Sequence, residues 1–273
     1  MRDSETEICL FDGYIFDLDG TIYRGDRLIP GASDTIAFLR GLGRRLVFLS
    51  NKPLENREDY AAKLTRLGIP TDPADVINSS YVMASYLSGI SPGCRVYAIG
   101  EPPLIRELKK AGLIVVDDPA AGGYIVDYVV AAFDRTFDYN KLNCAFQAIK
   151  RGAHFVATNA DRSCPVEGGE IPDAAGMIGA IEGTTGRKVE VVVGKPSKIT
   201  VEIALKRLGL AASDCLMVGD RLETDMVMGI NAGMKTALVL TGVTTRADLE
   251  HSNIRPDFVL DSVADLVPKK TGC

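Results

Sequence analysis

The stretch YIFDLDGT, Tyr14 to Thr21, sets an apolar triplet directly against two carboxylates, a glycine and a hydroxyl. Tyr14, Ile15 and Phe16 suit a buried strand. Asp17 and Asp19 do not, because a charge taken out of water must be paired or bound to a metal. The pattern reads as a strand whose carboxyl end opens into a working loop. Residues two apart in extended chain share a face, so Asp17 and Asp19 emerge together. Gly20 lets the backbone turn, and Thr21 is expected to hydrogen-bond within the loop.

The same rhythm continues on either side. RLVFLS precedes LENREDYAAKLTRLG, in which Tyr60, Leu64 and Leu67 form an i, i+4, i+7 stripe. Towards the other end, EVVVG precedes SKITVEIALKRLG, CLMVG precedes RLETDMVMGINAG, and TALVLTG comes after both. Nearly continuous apolar strands alternating with amphipathic helices predict an α/β fold, a parallel sheet covered on both faces. The middle repeats the alternation by itself: RVYAIG before EPPLIRELKKAG, YVVAAF before YNKLNCAFQAIKRG, HFVATN before DAAGMIGAIEGTTG. Residues 82–184 are therefore expected to form an inserted α/β domain, with 1–81 and 185–273 building the main sheet.

Composition excludes several classes. A chain of 273 residues has room for two domains. The net charge of −5 comes without a basic cluster, so nucleic acid is not an expected partner. No apolar run approaches the ~18 residues of a membrane span. The acidic N-terminus, MRDSETEICLFDG, lacks the basic and apolar regions of a signal peptide. Cys9, Cys94, Cys144, Cys164, Cys215 and Cys273 stand singly, with no CxxC pair, as expected of reduced thiols in a cytoplasmic protein. With only two histidines, histidine-based metal sites and triads lack raw material, and His154 is expected to pack.

In open parallel sheets, ligands bind beyond the carboxyl ends of the strands. Asp17, Asp19, Gly20 and Thr21 follow the first strand, and Ser50 and Asn51 follow RLVFL. GKP, with Lys195, follows EVVV, and GDRLETD, with Asp220 and Asp225, follows CLMV. Carboxylates, a hydroxyl and a lysine at successive strand ends suit a cation and an anionic ligand. Mg²⁺ commonly takes one or two carboxylates with a substrate phosphate oxygen. Asp17 and Asp220 are the expected ligands, with Asp225 a ligand or an orienting residue. Asp17 is also the candidate nucleophile towards phosphorus. Asp19 is the candidate general acid and base, while Ser50, Asn51 and Lys195 are candidates to hold the phosphoryl oxygens. Each piece has a bland reading: Asp220 as a helix N-cap, Ser50 as a turn residue, Lys195 as a solvated loop lysine.

DLDGT, LSN, GKP and GDRLETD together resemble the four motifs of the haloacid dehalogenase-like hydrolases, and the resemblance spans nearly the whole chain. TIYRGDRLIPGA, ATNADRSCP and AAGMIGAIEGTTG are similar to the class IIA branch, which includes 4-nitrophenyl phosphatases and arabinose-operon sugar phosphatases. The resemblance implies a Rossmann-like, doubly wound core with an inserted α/β cap domain. It implies Mg²⁺-dependent hydrolysis of small phosphomonoesters through phospho-Asp17, sugar phosphates and aryl surrogates among them. It also implies the Asp19 backbone carbonyl as a further metal ligand, and it admits a homodimer. One departure is SNK where many relatives have Thr-Asn-Asn, which makes Lys52 a candidate for tuning specificity.

A metal and phosphate clamp recognises any phosphoryl group, so discrimination falls to the insert. Asn159 and Asp161 are candidate substrate contacts, or equally an Asx turn. Asp134 and Arg135 are a second pair, alternatively a salt bridge at a turn. Arg221 would touch phosphate or pair with Glu223 or Asp225. A phosphotransferase or mutase would share Asp17 and Asp19, and pyridoxal phosphate or phosphoglycolate are alternative substrates. A non-catalytic relative would be expected to lack one of the acids or Lys195, and all are present.

Overall fold

The computed structural model describes residues 10–119, 125–166 and 168–267. Cys9, Cys273 and residues 1–9 of the segment bearing on a signal peptide lie outside them. The chain divides into two compact units: Met1–Ser50 with Glu58–Ile77 and Val201–Cys273, and Asn51–Arg57 with Asn78–Thr200.

The first unit opens with β1 (Gly13–Asp17), buried throughout. A short antiparallel pair comes next, β2 (Tyr23–Arg24) and β3 (Arg27–Leu28). Helix α1 (Ala32–Gly41) leads to β4 (Arg45–Ser50), and α2 (Arg57–Arg66) to β5 (Val76–Asn78). Helix α2 carries Glu58 and Asp59 in its first turn and Lys63 and Arg66 in its last, matching its dipole at both ends. Its Tyr60 and Leu64 are buried, and Leu67 packs partly buried against the same core.

The second unit begins with α3 (Ser79–Ile90), whose first turn is capped by the Asn78 side chain. It continues through β6 (Arg95–Ile99), α4 (Pro102–Lys110), β7 (Ile114–Val115) and β8 (Tyr128–Ala131). Helix α5 (Tyr139–Lys150), β9 (His154–Ala157) and the antiparallel hairpin of β10 (Ser163–Val166) and β11 (Gly169–Pro172) come next. It closes with α6 (Ala174–Thr185) and β12 (Val191–Val192). Its five-stranded parallel sheet has the order β12-β9-β8-β6-β7. EVVVG, expected in the main sheet, is thus the edge strand of the second sheet. The periodicity of an apolar run does not say which of two similar parallel sheets it joins.

Helix α7 (Lys198–Leu208) returns the chain to β13 (Cys215–Gly219), α8 (Val227–Ala232), β14 (Lys235–Val239), α9 (Arg246–His251) and β15 (Phe258–Leu260). The six-stranded parallel sheet runs β15-β14-β13-β1-β4-β5. From β1 the chain winds one way to β4 and β5, and from β13 the other way to β14 and β15. The order reverses between β1 and β13, the place where doubly wound sheets open a crevice. Register pairs Phe16 with Val218, so the residues just beyond them leave the sheet side by side.

Candidate active site

Asp17 is the last residue of β1, and Asp220 comes directly after the last residue of β13. The next turn, Leu222–Met226, is a π-helical segment, a geometry common at functional sites, and it turns Asp225 back towards β13. The approach is so close that a Cβ on Gly219 would lie 2.4 Å from the Asp225 side chain. Asp17, Asp220 and Asp225 are all buried, and each offers a carboxylate oxygen within 4.8 Å of the others. Three negative charges at that spacing repel strongly in a low-dielectric setting. Their all-oxygen, all-anionic donor set fits a hard divalent cation.

Backbone groups fix this cluster. The Val243 N–H donates to Asp220 Oδ2 at 2.6 Å, and the Arg221 N–H donates to Asp225 Oδ2 at 3.1 Å. A Cβ on Gly242 would stand 1.9 Å from Asp220 Oδ2. One on Gly20, whose φ is +93°, would stand 2.6 Å from the same atom. Both glycines are therefore required by the packing around one carboxylate. Asp220 receives a backbone N–H from the loop after β14, and it does not cap the helical segment beyond it. The loop carrying Asp19 closes tightly, with the Gly20 N–H on the Tyr23 carbonyl at 2.7 Å and the Ile22 N–H on the Leu18 carbonyl at 2.8 Å. The Thr21 hydroxyl, expected to bond within this loop, is buried with no hydrogen-bond partner among the described residues. Ser50 is the last residue of β4, and its Oγ lies 3.3 Å from the Tyr60 hydroxyl.

Asn51, Lys52, Asn159, Asp161 and Lys195 belong to the second unit. The Asn51 amide bonds the Lys195 backbone and the Asp161 carboxylate, which also accepts from Asn159. Asn159 is fully buried and donates to Asp173 as well, so these residues form a structured cluster rather than a loose turn. Burial pushes the Asp173 carboxyl up, while the Ala174 N–H, the Asn159 amide and the charge of Lys52 pull the other way. Asp134 and Arg135 do not pair with each other. Asp134 binds Lys141, and Arg135 forks onto Glu101 at 2.7 Å through two nitrogens. His154, expected to pack, stacks its ring on Tyr128 with centroids 5.3 Å apart, and on its exposed side pairs with Glu190 at 2.7 Å. Cys94, Cys144, Cys164 and Cys215 are buried thiols, with no disulfide among the described residues.

Val243 and Gly242 join the site without having been singled out by motif or spacing, and Tyr60, read only as part of the apolar stripe of α2, joins it through Ser50. TALVLTG is a strand end like the others, and the same strand-end argument extended past it leads to Gly242 and Val243.

Two family models match, one described as haloacid dehalogenase-like hydrolase over residues 14–114 and a HAD hydrolase-like one over residues 192–266. The sugar-phosphatase AraL of Bacillus subtilis is 43% identical over 93% of this chain and 91% of its own length. The chain belongs to the haloacid dehalogenase-like hydrolases. A solved p-nitrophenyl phosphatase from Archaeoglobus fulgidus superposes on this hydrolase with a TM-score of 0.88 at 36% identity, covering 94% of this chain and 98% of that one. The glycerol phosphate phosphatase of Mycobacterium tuberculosis, solved in complex with magnesium, gives 0.86 at 31% identity over 94% of this chain and 77% of that one. These likenesses place the hydrolase among the class IIA phosphatases, with the Rossmann-like core and inserted α/β domain of that group. Among the described residues no helix is long and apolar enough to cross a membrane.

Proposed function

We propose that this phosphatase hydrolyses small phosphomonoesters, sugar phosphates foremost, in a cytoplasmic, Mg²⁺-dependent reaction through phospho-Asp17. The observation that carries the reading is the buried Asp17–Asp220–Asp225 cluster astride the switch point of the six-stranded sheet. The likeness to AraL, a sugar phosphatase, and to the Archaeoglobus enzyme, an aryl phosphatase, supports the substrate class. The magnesium complex of the mycobacterial relative supports the metal.

Asp17, Asp220 and Asp225 would hold Mg²⁺, with the Asp19 backbone carbonyl as the family resemblance implies. The bound ion supplies positive charge that lets an anionic carboxylate meet an anionic phosphoryl group. An Asp17 oxygen attacks phosphorus, the ester P–O bond breaks, and Asp19 gives its proton to the departing oxygen. Asp19 then takes a proton from water as that water attacks the phosphoryl group, and the bond to Asp17 breaks to release inorganic phosphate. Ser50 holds a phosphoryl oxygen while Lys195 offsets its charge. Phosphate release measured over sugar phosphates, 4-nitrophenyl phosphate, phosphoglycolate and pyridoxal phosphate, with and without Mg²⁺, tests the whole reading. No release from any ester at any Mg²⁺ concentration would overturn it.

A further inference from the structure

The Asn51 side chain is held at three points. Its Oδ1 accepts the Lys195 backbone N–H at 2.8 Å. One amide hydrogen reaches the Lys195 carbonyl at 3.3 Å and the other Asp161 Oδ2 at 3.1 Å. An Asn amide has two donors, and both are committed. Only one orientation of the amide satisfies all three contacts, since its oxygen must face the N–H and its nitrogen the two acceptors. The backbone of Asn51 is held in turn by the Ser79 hydroxyl, which donates to its carbonyl at 2.6 Å.

The residue before the lysine is fitted to the same arrangement. The Gly194 N–H donates to the Thr158 carbonyl at 2.7 Å, continuing the β12–β9 pairing past the strand. A Cβ at Gly194 would meet that carbonyl oxygen at 2.5 Å and Asn51 Oδ1 at 2.8 Å. The glycine of GKP thus makes room for the Asn51 amide to bracket the lysine.

Behind Asn51 stands a buried polar brace. Asn159 donates to Asp161 Oδ2 at 2.9 Å and to Asp173 Oδ1 at 3.1 Å, and its own oxygen accepts from the Thr158 hydroxyl at 2.9 Å. Asp161 and Asp173 are the two feet of the β10–β11 hairpin. The Asp173 N–H donates to the Arg162 carbonyl at 3.1 Å, and the Ala175 N–H to the Asp161 carbonyl at 3.0 Å. A continuous path of hydrogen bonds therefore runs from the hairpin root through Asp161 and Asn51 to the backbone of Lys195.

We infer that Asn51 is a positioning residue for Lys195, and that Asp161, Asn159 and Asp173 are the brace holding it, linking the hairpin root to the lysine. Asn51 and Asn159 then contribute to turnover without their side chains touching the substrate. The inference rests on the reading of Lys195 as the cation facing the phosphoryl group.

A mutant cycle with Lys195→Met separates the two. Hydrolysis of 4-nitrophenyl phosphate and inhibition by inorganic phosphate are measured for each variant, with melting temperature confirming a folded chain. Asn51→Ala should lower kcat/KM by roughly tenfold to a hundredfold, the scale of a misplaced catalytic group, and weaken phosphate inhibition. In the Lys195→Met background the same change should cost less than about twofold, because its effect passes through the lysine. Asn51→Asp should be worse than Asn51→Ala, since a carboxylate would face Asp161 and the Lys195 carbonyl. An Asn51→Ala loss undiminished in the Lys195→Met background would overturn the inference alone. A Lys195→Met enzyme as active as the wild type would overturn the reading of the lysine, and this inference with it.

Discussion

Gly242 brings its backbone against Asp220 so closely that a single added methyl group has nowhere to go. Gly242→Ala should therefore push the carboxylate or its loop aside and weaken Mg²⁺ binding by about tenfold or more, consistent with the cost of disturbing groups that orient a metal ligand. Titration calorimetry with Mg²⁺ checks this directly; unchanged affinity would mean the loop yields freely. Asp17 poses a different question, because its proposed role combines ligation with attack. Asp17→Asn keeps the shape and removes both the charge and the nucleophile. Turnover should be lost while the melting temperature stays near that of the wild type. Residual phosphate release comparable to wild type would transfer the nucleophile's role to another residue.

Asp134 shows how the loop after β8 is secured. Burial alone would raise its carboxyl, but bonds from Lys141, Thr136 Oγ1 and the Thr136 N–H outweigh it and hold the carboxyl below the ordinary range. A depressed folded-state value means the contribution is complete above the unfolded value of about 4 and disappears as pH falls through the folded one. Asp134→Asn should cost roughly 1–3 kcal/mol at neutral pH, and the gap from wild type should close in strong acid. Urea unfolding across that pH range measures it; a constant gap would remove the ionic part of the argument. At this same scale the sequence was informative where one strand could be read by itself. YIFDLDGT fixed both the buried strand and the carboxylates at its end, and Tyr60 with Leu64 marked the inner face of α2. What eluded it were contacts between distant segments. Nothing near Asp220 in sequence announces the Val243 N–H, Thr21 gives no sign that its hydroxyl is left unsatisfied, and EVVVG looks the same whichever sheet it edges. A hydrogen bond to a backbone N–H imposes no side-chain identity on its donor, so it leaves little trace in a single sequence.

Each of the two units has its own buried core, one around Phe16 and Phe48 and the other around Val129 and Phe155. The clustered carboxylates all belong to the first. Saturating Mg²⁺ should therefore slow amide hydrogen exchange chiefly in β1, β13 and the π-helical turn, with the sheet around β8 little changed. Ligand at 100 times its dissociation constant would stabilise the unit that binds it by about 2.7 kcal/mol. Mass spectrometry of exchanged peptides reads this out, and equal protection of both sheets would show that the units unfold together.

The division also orders events during synthesis. Strand β1 pairs with β4 on one side and with β13 on the other, and β13 begins at Cys215. The second unit, by contrast, is complete in sequence at Thr200. On a ribosome the middle of this polypeptide can finish folding while the strand made first still waits for its neighbour. The nascent chain must therefore shield the apolar flank of β1 until more than half of the protein has been translated.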